Sequence, residues 1–125
     1  MATISDGTDK IQMSGREVFR HSIERMHDSA MNIIKSNNLS IDDIDVVVPH
    51  QANERIISAL GSRLGIAPGK ILRNIAVMGN TGAASIPLVL CDVFDKRDAS
   101  PRTILCTAFG GGYVWGSVLL DMAGT

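Results

Sequence analysis

Residues 46–53 read Val46 Val47 Val48 Pro49 His50 Gln51 Ala52 Asn53: three β-branched residues run into a proline and then into a polar set. From Ile44 to Val48 the chain is almost continuously apolar, which predicts a strand covered on both faces of a parallel or mixed sheet. Just beyond it, Ile56, Ile57, Leu60 and Leu64 recur at the spacing of one helical face. A buried strand therefore hands over to a helix near Asn53. His50 falls between the carboxyl end of the strand and the helix N-terminus, where open α/β folds place their ligands.

Upstream, Phe19, Ile23, Met26, Ala30, Ile33 and Ile34 form a helical stripe, and Ser14 with Glu17 has the S-x-x-E spacing of a capping box. A long amphipathic helix is expected, ending near Asn37 and Asn38, with His21 and His27 on its solvated side. Residues 1–10 are small, polar and aperiodic, and the segment 1–12 reads as a flexible leader or an edge extension. Downstream, 70–73 reads as a short strand and 78–82 as a loop. The run 83–94 is apolar almost all round, which predicts a helix buried on every side, with Pro87 removing a hydrogen bond or kinking its first turns. Residues 103–109 and 113–121 are strand-like and joined by Gly110, Gly111 and Gly112, so an antiparallel pair is expected. The element order points to one α/β domain, a mixed sheet of about four or five strands with helices on its faces.

The chain has 125 residues, enough for one domain with a real core, and 12 Lys and Arg balance 13 Asp and Glu. There is no global basic field, which argues against a nucleic-acid or anionic-membrane partner. No segment approaches the roughly 20 uninterrupted apolar residues of a membrane span, and no apolar signal core opens the sequence, so a soluble cytoplasmic protein is expected. Cys91 and Cys106 lie inside apolar segments and read as buried thiols in a reducing compartment. The three histidines and two cysteines lack ligand spacing, so no metal site is expected. Gly110, Gly111 and Gly112 lead into a strand rather than a helix, which excludes a dinucleotide fingerprint.

Three loops hold the residues that could carry chemistry: 50–53, 79–82 and 110–112. They meet at one rim of the sheet if the strands that end in them are neighbours. A histidine beside a helix N-terminus is pushed toward its neutral form, leaving an N–H to donate to a developing oxyanion. Asn80 offers a second donor that does not titrate. A glycine loop lets main-chain N–H groups approach a substrate oxygen. Together these would stabilise an enolate or a tetrahedral intermediate and would not act as a nucleophile. Each residue also has a purely structural reading: a hydrogen-bonded strand-end histidine, a turn asparagine and a bulged hairpin.

Three motifs in order, Pro49 His50 Gln51 Ala52 Asn53, then Gly79 Asn80 Thr81 with Ala83 Ala84 Ser85, then Ala108 Phe109 Gly110 Gly111 Gly112 with Trp115 Gly116 Ser117, resemble the C-terminal half of β-ketoacyl-acyl-carrier-protein synthase III. The helix opening Gly15 Arg16 Glu17 Val18 Phe19 resembles it too, and the likeness runs from about Met13 to Leu120. It implies a thiolase-like half-domain over 13–125, with the run from Ala83 as a helix sandwiched between two sheets. It also implies decarboxylative Claisen condensation, initiating fatty acid biosynthesis, in which an acyl group from acyl-CoA is loaded on a cysteine and attacked by the carbanion of malonyl-acyl-carrier protein. On this resemblance His50 and Asn80 match the two donors to the malonyl thioester carbonyl, and Gly111 matches an oxyanion-hole amide. Phe109 matches an aromatic residue near the reactive cysteine, Asn53 a contact to pantetheine or CoA, and Arg55 and Arg63 the docking site of acyl carrier protein. No permanently bound cofactor is implied; acyl-CoA and malonyl-acyl-carrier protein are substrates.

The sequence departs from the family pattern at Met78, where an aromatic residue or histidine is common, and at Gly82, where serine is common. The family nucleophile belongs to an N-terminal half, and neither Cys91 nor Cys106 corresponds to it. The expectation is thus a domain that is incomplete as a condensing enzyme and inactive alone in condensation. The alternative is a non-catalytic, truncated homologue that binds carrier protein or CoA, or that forms a homo-oligomer through the surface its apolar helix would otherwise expose.

Overall fold

The computed structural model describes residues 2–4 and 11–13 as backbone, and residues 15–96 and 101–123 in full. In chain order the elements are β1 (Ala2–Ile4), β2 (Ile11–Met13), α1 (Gly15–Ser36), β3 (Val46–Pro49), α2 (Glu54–Leu64), α3 (Ile75–Met78), α4 (Ser85–Asp95), β4 (Thr103–Gly110) and β5 (Val114–Asp121). β1 and β2 pair antiparallel, Ala2 opposite Met13, as a ribbon separate from the main sheet. The leader expected over 1–12 falls partly outside the described residues, as does Ser14 of the expected capping box.

The main sheet is three-stranded in the order β3-β4-β5. β3 runs parallel to β4, with Val46 opposite Ile104 and Pro49 opposite Thr107, and β4 pairs antiparallel with β5, from Thr103 opposite Asp121 to Gly110 opposite Val114. The carboxylate of Asp45 pins this register at its start, accepting the N–H groups of Arg102 at 2.8 Å and Thr103 at 2.9 Å. A sheet of three strands is fewer than the sequence suggests, and the reason lies at 70–73. That segment makes a 3-10 turn over Pro68–Lys70 and a single parallel bridge, Ile71 to Val47, with the Leu72 N–H donating to the Val47 carbonyl at 2.9 Å. It touches the outer edge of β3 without extending along it.

Helices cover both faces of the sheet. On one face, Ile23, Met26, Ala30 and Ile34 of α1 and Ile57 and Leu60 of α2 pack on Val47, Leu105 and Phe109. On the other, Val89 and Val93 of α4 pack on Val48, Ile104 and Cys106. Alternation along β3 sends Val47 to the first layer and Val48 to the second, and both have 0% exposure. Each fully buried Ile or Leu of this core contributes roughly 1.5–3 kcal/mol by leaving water.

Two expectations about α4 are corrected. The helix buries only Ser85, Val89 and Val93, while Phe94 remains 47% exposed and Cys91 is exposed. One helical face meets the sheet, and among the described residues nothing covers the other. Pro87 is the third residue of α4, where a main-chain N–H has no intrahelical partner to lose, so it sits in the first turn without breaking it.

Candidate active site

β3 delivers His50 to the rim of the sheet. The His50 N–H donates to the Thr107 carbonyl at 2.8 Å and carries the parallel ladder one residue past Pro49. Gln51 then turns inward with 0% exposure. Its side-chain nitrogen donates to the carbonyls of Pro49 at 2.8 Å and Leu72 at 3.3 Å, and its oxygen accepts the Asn74 N–H at 3.0 Å. The Gln51 main-chain N–H donates to Ser85 Oγ at 3.2 Å, and the same Oγ lies 2.6 Å from Nδ1 of His50. Asn53 caps α2, its side-chain oxygen accepting the Arg55 N–H at 2.8 Å.

Asn80 is delivered by the turn after α3. Gly79 has φ 67° and ψ −163°, a region essentially reserved for glycine, and this swings the chain out of the helix. The Asn80 side-chain oxygen accepts the Gly82 N–H at 3.0 Å. That bond fixes which end of the amide is oxygen and leaves the two protons on Nδ2 for another acceptor. From the third direction, β4 ends at Gly110 and a three-residue turn, 111–113, returns the chain to β5.

These three turns surround one cavity of about 310 Å³, lined by His50, Asn53, Asn80, Phe109, Gly110 and Gly111 among others, with Val18, Phe19, Met26 and Ile56 as apolar wall. The Tyr113 ring stands 5.0 Å from Phe109 and 5.3 Å from His21 and closes one side. Among the described residues no carboxylate, lysine or arginine lines the cavity, and His50 and Tyr113 are its titratable groups. Burial pushes the His50 imidazolium below the ordinary histidine value, so the neutral ring is favoured. The sequence assigns that preference to the helix N-terminus, whereas desolvation is the cause the structure supplies. Desolvation also raises the Tyr113 phenol, with the negative charge of Glu17 adding to it.

The remaining residues singled out in the sequence lie elsewhere. Arg55 is exposed beside the cavity, its guanidinium 5.8 Å over the Phe19 ring. Arg63 is exposed near the far end of α2 and does not line the cavity; its charge reaches Asp28 of α1, whose carboxyl is held low first by its hydrogen bond with His27. Cys106 is buried on the face of β4 opposite Phe109, and burial raises its thiol. Cys91 is exposed on α4, contrary to the expectation of a buried thiol, because it lies on the uncovered side of the helix. Neither thiol lines the cavity. Gln51 and Ser85 were not assigned roles by the sequence, although each carries polar atoms at a position that packing buries. The arrangement can receive an oxygen that gains negative charge, and neither cysteine of the chain stands in it.

A three-stranded mixed sheet between helical layers, with a cavity at its strand ends, is an α/β domain, and its match to solved synthase III structures makes the class thiolase-like. The chain belongs to the family 3-oxoacyl-[acyl-carrier-protein (ACP)] synthase III C terminal, which matches residues 34–122. It is 45% identical over 111 residues to the β-ketoacyl-[acyl-carrier-protein] synthase III of Oleidesulfovibrio alaskensis, covering 88% of this chain and 34% of that protein. With the corresponding synthase of Rhodospirillum rubrum the identity is 45% over 113 residues, covering 90% and 35%. Among solved structures, 3-oxoacyl-[acyl-carrier-protein] synthase III of Aquifex aeolicus superposes with a TM-score of 0.87 at 39% identity, over 94% of this chain and 38% of that one. The chain thus spans about a third of the length of the curated relatives it matches. Among the described residues no helix is long and apolar enough to cross a membrane.

Proposed function

We propose that residues 13–125 form the enolate-stabilising half of a decarboxylating condensing enzyme that joins an acyl group from acyl-CoA to malonyl-acyl-carrier protein. The observation that carries this reading is that His50, Asn80 and Gly111 line one cavity. When the malonyl thioester loses CO2, the electron pair of the broken C–C bond enters the thioester as an enolate. The His50 N–H and the Asn80 amide donate to the enolate oxygen, and donors already aimed at the charge that develops act strongly. The carbanion then attacks an acyl thioester whose carbonyl oxygen is received by the Gly111 N–H, beside the Phe109 ring. The acyl-bearing cysteine is supplied by polypeptide other than these 125 residues, since neither Cys91 nor Cys106 reaches the cavity. Asn53 contacts the pantetheine arm, and Arg55 with Arg63 presents positive charge to the acidic carrier protein. No bound cofactor takes part.

The chain mixed with malonyl-acyl-carrier protein tests this reading. Slow CO2 release is expected, with water protonating the enolate to give the acetyl thioester, and no β-ketoacyl product is expected when acetyl-CoA is added. His50→Ala and Asn80→Ala each lower CO2 release by on the order of 10²-fold or more. Turnover to a β-ketoacyl product, or an acylated Cys91 or Cys106 found by mass spectrometry, would contradict the assignment. So would CO2 release that ignores both substitutions.

A second reading is self-association, and one observation favours it. Val114 and Val118, on the α4 side of β5, and Phe94 of α4 are 64%, 55% and 47% exposed, apolar side chains that a second copy would cover. Sedimentation that gives a monomer at every concentration would remove it.

A further inference from the structure

Ser85 is the first residue of α4, is 1% exposed, and is 34 and 35 residues from the two groups its hydroxyl meets. One is the main-chain N–H of Gln51 at 3.2 Å, and the other is Nδ1 of His50 at 2.6 Å. An N–H group donates only, so Ser85 Oγ is the acceptor in the first contact. The hydroxyl proton then needs an acceptor of its own, and among the described residues the contact that offers one is the imidazole Nδ1. The opposite assignment, with the proton on Nδ1, would place two donors on Oγ and leave a buried hydroxyl proton with nowhere to go. His50 protonated on both nitrogens meets the same conflict, and among the described residues no carboxylate lines the cavity to offset it.

We propose that Ser85 is a positioning residue that holds His50 in the tautomer protonated on Nε2, by donating its hydroxyl proton to Nδ1 while Gln51 fixes the hydroxyl from behind. The inference rests on the donor role given to His50 above and extends it: the proton that an enolate oxygen would receive as a hydrogen bond is placed by a side chain that touches no substrate. Sequence spacing alone does not reveal this, because Ser85 is read as the edge of an apolar helix. The Gln51 N–H is the second half of the device. It belongs to a loop that three further hydrogen bonds of the Gln51 side chain hold in place, so the hydroxyl has one rotamer in which both contacts are made.

The test is long-range ¹H–¹⁵N spectroscopy of the chain labelled at histidine, at a pH where His50 is neutral. The expected result for the native protein is one tautomer, with a pyrrole-type nitrogen at Nε2 and a pyridine-type nitrogen at Nδ1. Ser85→Ala is expected to lose that single signature and give averaged nitrogen shifts, while the dispersed amide spectrum shows an intact fold. A native His50 protonated on Nδ1 overturns the proposal, and so does a folded Ser85→Ala chain that keeps the native tautomer. Should the variant fail to fold, the native tautomer alone decides. Failure of CO2 release with the Nε2–H tautomer present would count against the reaction and leave Ser85 in its role. The two failures are therefore separable.

Discussion

The side-chain oxygen of Gln51 accepts the main-chain N–H of Asn74 at 3.0 Å, and through this bond the loop bearing His50 is joined to the segment that leads to Asn80. Both donors are thus referred to one buried amide. The arrangement makes Gln51 a structural centre of the site although its side chain does not line the cavity.

Gln51→Leu keeps the volume but removes the hydrogen bonds to Pro49, Leu72 and Asn74. Buried main-chain groups left without partners cost about 1–3 kcal/mol each, and partial solvation by water lowers the sum, so a loss of about 2–4 kcal/mol is expected. Urea unfolding would show the midpoint falling with an unchanged slope. A variant within about 0.5 kcal/mol of the native protein would show that these bonds do not hold the loop.

Gly82 has φ +62° with open space where a Cβ would stand. Gly82→Ala therefore meets no neighbour and is strained only by its backbone, at about 1–2 kcal/mol. The expected outcome is a stability loss of that size with the Asn80 turn retained, read by urea unfolding and the Asn80 side-chain amide signal. An unchanged midpoint would mean that the Gly82 N–H bond to Asn80 is not maintained in this conformation.

The two thiols differ by burial. Under native conditions iodoacetamide should modify Cys91 and spare Cys106, whose thiolate is disfavoured by desolvation. Peptide mass spectrometry reads the outcome. Modification of Cys106 at the rate of Cys91 would mean that the β4–α4 layer opens readily, whereas protection of both would place a partner over the outer face of α4.

The depressed His50 value makes stability depend on pH with a definite sign. The unfolded chain takes up this proton near pH 6.5, the folded chain only at lower pH. Between the two values the unfolded state binds more protons, so stability is full above the unfolded value and is lost as pH falls through the folded one. Within the cavity, Tyr113 stays neutral throughout this window, and among the described residues no other titratable group lines it. Denaturant midpoints measured from pH 7 downward should fall more for the native chain than for His50→Gln. Parallel profiles would show that His50 is solvated.

Local pattern carries much of this fold. The apolar run before Pro49, the stripes of α1 and α2 and the glycine-joined hairpin are set by residues close in sequence, and periodicity reports them directly. What depends on distant partners is harder to read. The strand expected at 70–73 shrinks to one bridge because its length is decided by the edge of β3. The apolarity of α4 is visible in its residues, but which side finds a cover is not, and so Cys91 and Phe94 emerge on the surface. The meeting of His50 with Asn80 and Gly111 follows from the sequence only if β3 and β4 are neighbours, a parallel pairing across nearly half the chain. Gln51 and Ser85 become visible as a pair only once α4 is laid against that loop.

The most direct measurement adds a malonyl thioester analogue unable to lose CO2 to the ¹⁵N-labelled chain and follows the His50 ring N–H, the Asn80 side-chain amide and the Gly111 main-chain N–H. The account predicts that all three shift together along one saturating curve, and that Asn80→Ala weakens the curve without changing the fold. Saturable binding that moves other residues and leaves these three where they were would contradict it.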